Sequence, residues 1–240
     1  MKYSFAELGS NILTRKFGGT TTGVAEPYLS GYFFVWFERL PADLAYYASQ
    51  GSSSIGSLQE IQNILAAACT GVTPPGGTLG KIEFTGLGGI KWAVPGNVEY
   101  GNEVTVKFIE FSKTPLLDIL HGWVKMIRDY RFGITEQVSG DQGEGYNKGT
   151  YAGIMYYWTT APDAKTIEYY ACYDGIFPAR DPQELFTGDV EAVARLDIEV
   201  GFNVDYTWHE PWVKAKCEMY SDLFMQAKEV VRNYRPSSGT

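Results

Sequence analysis

The sequence predicts a mainly β protein with helices, an α+β fold, on three observations. Between Ala194 and Tyr206 the side chains alternate without a break: Ala194, Leu196, Ile198, Val200, Phe202, Val204 and Tyr206 are apolar, while Arg195, Asp197, Glu199, Asn203 and Asp205 are not. Side chains on a strand point to opposite faces with period two, so one face of this long strand meets a core and the other meets water or a polar space. At about 3.3 Å per residue it would span roughly 40 Å. A usual strand has about five or six residues, so this one is strongly curved, shared between sheets or part of a large barrel. The second observation is a set of runs filled by β-branched and aromatic residues, at Tyr32 to Phe37, Tyr151 to Trp158 and Thr166 to Tyr173. The third is one helix, Thr114 to Arg131, with an apolar face wide enough to pack on a sheet.

Taken in order, residues 1–27 carry Gly18-Gly19-Thr20-Thr21-Thr22-Gly23 and Pro27 and read as an extended N-terminal arm. Tyr32 to Phe37 is a buried strand stopped by Leu40-Pro41. Residues 42–57 read as an inserted loop, with Gly51-Ser52-Ser53-Ser54 at its centre. Ser57 and Glu60 then form a capping-box pattern ahead of a short helix in which Leu58, Ile61 and Leu65 recur, ending near Cys69. From Gly71 to Gly101 the chain is rich in turns, around short strands at Lys81 to Phe84 and Ile90 to Val94. Val104, Val106 and Phe108 alternate as a strand into Phe111.

The main helix follows at once, with Thr114 as cap, Pro115 in the first turn, and Arg128 and Arg131 in the last turn before Gly133. Leu116, Leu120, Trp123, Ile127 and Tyr130 lie on one face, widened by Leu117 and Val124. Gly140 to Gly149 is a polar, glycine-rich loop. Two strands joined at Ala161-Pro162-Asp163-Ala164 follow it, then a turn over Asp174 to Pro178 and a polar loop through Gly188. Past the long strand, residues 211–240 form a C-terminal helical extension. Its helix is expected from about Glu218 to Tyr234, with Leu223, Phe224, Ala227, Val230 and Val231 on the apolar side.

With 240 residues, 45% hydrophobic and 15% aromatic, the chain can bury a substantial core without metal or disulfide support. Its three cysteines, Cys69, Cys172 and Cys217, lie far apart without metal-ligand spacing and suit assembly in a reducing compartment. The N-terminus lacks the apolar segment of a signal peptide, and no run is long enough for a membrane anchor. A net charge of −8 argues against a surface that grips a phosphate backbone. It agrees with a conduit that phosphates slide past.

No motif for catalysis or cofactor binding is complete. His121 and His209 lie in different regions without metal-ligand neighbours. Gly77-Thr78-Leu79-Gly80-Lys81 lacks the glycine a phosphate loop needs at Pro75 and the hydroxyl it needs at Ile82. Gly86-Leu87-Gly88-Gly89 does not complete a dinucleotide fingerprint. Asp197 with Glu199, or Asp141 with Glu144, could serve a glycosidase, and the many aromatic residues could line a sugar platform. A carbohydrate-active enzyme or binding module is therefore the reading from a different class. A solvated or pore-facing strand surface explains Asp197 and Glu199 more simply.

In this order the elements resemble the tail tube proteins of contractile-tailed bacteriophages. Four features carry the likeness: Pro27 with the strand Tyr32 to Phe37; the turn-rich strand pair Lys81 to Val94; the strand Glu103 to Phe111 running straight into the helix; and Gly175-Ile176-Phe177-Pro178 ahead of the long strand that finishes at Tyr206-Thr207-Trp208. They cover residues 27–210, close to the expected single β domain of residues 28–210. The resemblance implies an antiparallel β-sandwich or barrel with one main packed helix, and no enzyme, cofactor or metal. It implies homohexameric rings stacked into a tube, with the tail sheath protein, baseplate and tail terminator proteins and a tape measure protein as partners. DNA would pass without specific binding, and the protein would be assembled in the host cytoplasm into the virion. A baseplate tube initiator or a neck or tail terminator of the same fold is the alternative. On this reading Asp197, Glu199 and Asp205 are candidates to line the channel, and Asp141, Glu144 and Tyr146 lie in a candidate contact loop between rings.

Overall fold

The computed structural model describes residues 32–51, 53, 55–85, 91–128, 148–163, 165–182 and 196–233. The expected N-terminal arm and the residues Asp141, Glu144 and Tyr146 lie outside them. In chain order the elements are β1 (Phe33–Arg39), α1 (Leu44–Ser49), α2 (Leu58–Ala68), β2 (Cys69–Thr73), β3 (Gly77–Thr85), β4 (Lys91–Tyr100), β5 (Glu103–Ile109) and α3 (Pro115–Ile127). Then come α4 (Lys148–Tyr151), β6 (Gly153–Thr160), β7 (Ile167–Pro178), β8 (Asp197–Asn203), β9 (Tyr206–Trp208) and α5 (Pro211–Asn233). The fold is α+β, and its strand pairs are antiparallel. A seven-stranded sheet runs β1-β6-β7-β8-β5-β2 with β9 added to β7, and β3 and β4 form a separate two-stranded sheet.

Strand β7 belongs to both halves of the large sheet. Its earlier residues pair with β6 and β9, and Phe177 and Pro178 pair with Asn203 and Phe202 of β8. At the register shift near the end of the β6 pairing, Gly175 takes a φ of +72°, a left-handed conformation that glycine adopts without steric cost. The segment Asp174 to Pro178, expected as a turn, is therefore a bend inside a continuing strand. The bend folds the sheet on itself like a sandwich: Phe37 of one half meets Phe202 of the other, ring centroids 6.1 Å apart. Val35, Met155, Ala171 and Tyr173 face Val104, Val106, Phe108, Ile198 and Val200 in the same core.

Helix α3 closes this core. Leu116, Ile119, Leu120, Trp123 and Met126 are buried, and Trp123 stands 5.9 Å from the Phe202 ring. Ile119 and Met126 thus join the expected face, while Leu117, Val124 and Ile127 lie half-buried at its margins. Thr114 does not cap the helix as expected, because its φ of 51° turns the chain without a side-chain cap. The cap is Glu110, whose carboxylate accepts hydrogen bonds from the backbone N–H of Phe111 (2.8 Å), Leu116 (3.1 Å) and Leu117 (2.9 Å). A negative charge at the positive end of the helix satisfies donors that no helical carbonyl reaches.

Residues 42–57 are more than a loop: they hold α1, and Leu44, Tyr47, Ala48 and Ile55 are buried. A Cβ on Gly122 of α3 would stand 3.1 Å from backbone atoms of Tyr47 and Ala48, so a larger residue there would push α1 outward by a few tenths of an ångström. The capping box before α2 forms, with Glu60 N–H donating to Ser57 Oγ at 3.2 Å. The Glu60 carboxylate reaches back one residue further, to the N–H of Gly56 at 3.1 Å. From α2, Gln62 Nε2 donates to the carbonyls of Phe37 (2.7 Å) and Glu38 (3.1 Å), covering part of the edge of β1.

The long alternating strand is interrupted. β8 pairs with β5 and β9 with β7, so the chain changes partner at Val204 and Asp205. Ile198, Val200, Phe202 and Val204 face the core as the alternation predicts. Tyr206 is 61% exposed, because its parity no longer counts beyond the break. β3 and β4 extend past the expected Lys81 to Phe84 and Ile90 to Val94, with a register shift between Leu79 and Lys81 that sets Gly80 against Gly96 and Asn97. α5 starts at Pro211, well before Glu218, and Leu223 is 55% exposed instead of facing the core.

Replacing Glu110 by alanine removes three acceptor bonds, two of them at the start of the helix, and should lower stability by about 1–2 kcal/mol. Urea unfolding of Glu110→Ala against the parent protein measures it.

Candidate functional site

The two halves of the sheet differ in what covers their outer faces. Behind the first half, Tyr156, Trp158, Ile167 and Cys172 pack under Val213, Cys217 and Tyr220 of α5, so this half is buried on both sides. That explains why β1 is aromatic in both phases: Val35 and Phe37 enter the main core, whereas Phe34 and Trp36 meet Phe224 of α5. A polar tie fixes the helix. Glu38 Oε1 accepts from Lys216 Nζ at 2.5 Å and from the Tyr220 hydroxyl at 2.7 Å. Burial pushes the Glu38 pKa up, but hydrogen bonds from Lys216, Tyr220 and Tyr156 outweigh it, and the carboxyl lies below its ordinary value of 4.5.

The outer face of the second half, β2-β5-β8, is polar. Asp197 and Glu199 stand exposed on it. Directly across the strand pair Lys107 faces Glu199, with Nζ and Oε2 3.1 Å apart. Arg180 Nη2 donates to the Glu199 carbonyl at 3.4 Å. The Glu103 carboxylate lies over Gly201, where an added Cβ would clash with it. Asp205 does not share this surface. It sits in the break before β9, against Gly175, and is bound by the Lys148 ammonium. Its role is to hold the bend of β7. His121 is likewise engaged, with Nδ1 2.8 Å from Asp181 Oδ2.

The third feature is the β3-β4 hairpin, which continues the β2-β5 pair beyond Pro74-Pro75 and Gly101 and, among the described residues, packs on no other layer. Ile82 pairs with Val94 and Phe84 with Trp92. Directly opposed residues share a face, so these four form one apolar surface, each 44 to 61% exposed. The alternate positions carry Lys81, Glu83 and Ala93, with Lys81 and Glu83 2.6 Å apart. A two-stranded hairpin is marginal in water by itself, and one with a bare apolar face calls for a partner. The alternation of Ile82 and Phe84 with charged residues was readable in the sequence. That no other described element covers them was not.

Among the described residues there is no group of three or more His, Cys, Asp or Glu side chains able to hold a metal ion, and no helix long and apolar enough to cross a membrane. No family model and no curated protein matches the chain. Among solved structures it is similar to a sheath/tube terminator of an extracellular contractile injection system in its extended state, at 14% identity and a TM-score of 0.42, over 77% of this chain and 97% of that one. It is similar also to the tube-terminating cap of the anti-feeding prophage, at 12% identity and 0.42 over 77% and 91%. A chain in the baseplate structure of that prophage matches at 12% identity and 0.44 over 77% and 96%. Similarity at this level establishes neither the fold nor the function of this chain.

The Glu38 tie has a pH signature. A folded pKa below the unfolded one means stability that is complete above about pH 4.5 and lost as the pH falls through the folded value. Urea midpoints from about pH 7 down to about pH 3 should fall more for the parent protein than for Glu38→Gln.

Proposed function

We propose that this chain is a structural subunit of a contractile tail, a tail tube protein whose hexameric rings stack into a channel for DNA. The observation that carries this reading is the β3-β4 hairpin, with Ile82, Phe84, Trp92 and Val94 bare on one face. An arm on which, among the described residues, four large apolar side chains cluster uncovered on one face is suited to be completed by a neighbour. The order of elements supports the same family: a short turn links β5 directly to the helix packed on the sheet, and a β7 bend precedes the β8-β9 segment. The outer face of β2-β5-β8, which bears Asp197 and Glu199, is the channel wall in this reading. Asp205, held by Lys148, belongs to the frame behind it.

The tail sheath protein, the baseplate, the tail terminator and the tape measure protein are the partners such a ring would meet, in a virion-like particle assembled in the host cytoplasm. No residue is assigned a catalytic role. A baseplate tube initiator or a tail terminator with the same fold would form a single ring in place of a tube.

Negative-stain electron microscopy of the purified protein tests the proposal. Rings that stack into tubes support the tube subunit, isolated rings the initiator or terminator, and a monomer under all assembly conditions would overturn both. Ile82→Asp with Phe84→Asp should abolish rings and leave the circular dichroism and melting temperature of the monomer nearly unchanged, because both side chains are exposed there.

A further inference from the structure

The turn that joins β5 to α3 carries backbone strain. Among the described residues only Lys113 and Thr114 combine a side chain with a positive φ, at 70° and 51°, and they are adjacent. For a residue with a Cβ, each left-handed position lowers the population of the conformation about fivefold to thirtyfold. Thr114 is the harder case, since it is β-branched and precedes Pro115, which pushes the residue before it toward an extended backbone. Hydrogen bonds hold the turn in this shape. The Glu110 carboxylate accepts from the N–H of Phe111, Leu116 and Leu117. The Thr114 N–H donates to the Phe111 carbonyl at 3.1 Å, and the Glu110 N–H to the Leu196 carbonyl at 3.0 Å.

The same residues contain a second solution. Thr114 has the side chain of an N-cap, and Pro115 at the first helical position is the residue that suits one. The Thr114 carbonyl already accepts from the Asp118 N–H at 3.1 Å, as the carbonyl of an N-cap does, so a change of cap is confined to the chain before it. With an extended backbone at Thr114, its hydroxyl would accept from the N–H of Leu116 or Leu117, the donors that Glu110 serves in this structure. Lys113 and Thr114 would then leave the left-handed region, and the preference set by Pro115 would be met. What is lost is the charged acceptor, the stronger of the two. A stronger cap and a relaxed backbone thus oppose each other. We infer that this turn is a two-state element, in which α3 exchanges Glu110 for Thr114 as its cap while Phe111 to Lys113 are displaced. Phe111 is the handle: its side chain is 44% exposed, yet its N–H and its carbonyl are both tied into the strained state. A contact that draws Phe111 away releases both bonds together. The turn lies at the opposite end of β5 from the β3-β4 hairpin, and the exchange is a property of the single chain, independent of assembly.

Two double-mutant cycles, read by urea unfolding of the full chain, test the inference. Glu110, Lys113 and Thr114 are not buried, so the variants keep the core intact. In the parent protein Thr114→Ala should lower the folding equilibrium constant by less than about twofold, because the Thr114 hydroxyl does not cap the helix there. In the Glu110→Ala background the same substitution should lower it about fivefold, the usual worth of a cap. Lys113→Gly reads the backbone instead. It should raise the constant in the parent, where the φ of 70° suits glycine. In Glu110→Ala it should lower the constant about twofold to fivefold, since a relaxed turn gains nothing from glycine and the unfolded chain gains freedom. Additive effects in either cycle would show that the turn keeps its shape without Glu110 and would overturn the inference. A Lys113→Gly that destabilises the parent protein would overturn it as well, because the strain would then be absent.

Discussion

Strand β7 pairs with β6 and β9 along its first part and with β8 at its end, and every layer of the molecule depends on the bend this requires at Gly175. The bend is secured from three sides. Glycine supplies the left-handed backbone, the Asp174 carboxylate accepts from the Gly175 N–H at 2.8 Å, and Asp205, bound by Lys148, fills the space that a side chain on Gly175 would need. Folding the sheet here brings Phe37 and Phe202 into one core and leaves a side that α3 fills with Trp123. Without it the two halves would lie flat, and neither α3 nor α1 would have a concave surface to close.

The same bend decides which faces are finished within one chain. The first half receives α5 on its back, fixed by the Glu38 tie and by aromatic contacts from Phe34, Trp36 and Trp158 to Tyr220 and Phe224. Among the described residues no helix lies on the back of the second half, and its outer positions are short or charged: Thr105, Lys107, Glu199, Gly201 and Asn203. The hairpin extends this uncovered half. Its Ile82, Phe84, Trp92 and Val94 therefore stand out, among the described residues, as an exception on an otherwise polar side of the molecule.

Much of this was legible in the sequence where one local rule decides the outcome. The parity of Ile198, Val200 and Phe202 follows from their alternation, and the α2 start follows from Ser57 and Glu60. Where two segments distant in sequence compete, the local rule fails. The break at Val204 falls where pairing with β5 ends at Asn203 and pairing with the Cys172 to Asp174 part of β7 begins at Tyr206, and no window around Val204 contains that information. The cap of α3 was misassigned for a related reason: Thr114 has the right residue type, but the turn from β5 brings Glu110 to the helix end first, and a carboxylate is the stronger acceptor. Asp205 shares the parity of Asp197 and Glu199 in the sequence, and the structure places it in the break between β8 and β9. The aromatic exposure on the hairpin and on α5 depends on what lies opposite, so it becomes visible only once the fold is built.

The acidity of the β2-β5-β8 face is also altered by tertiary pairing. Read along β8 alone, Asp197 and Glu199 make a purely negative strip. In the sheet, Lys107 stands across from Glu199 and Arg180 reaches its carbonyl, so three acids, including Glu103, are set against two bases. At physiological salt, charges are screened over about 8 Å, and each acid is felt mainly together with its nearest base. In the proposed ring such a wall would repel a phosphate backbone weakly and evenly. That suits passage better than either extreme: a strongly negative wall would raise the barrier to entry, and an unpaired row of lysines would bind phosphates and stall them. Lys107 fits this balance because its partner is already in place across the strand, and its ammonium is engaged before any phosphate arrives.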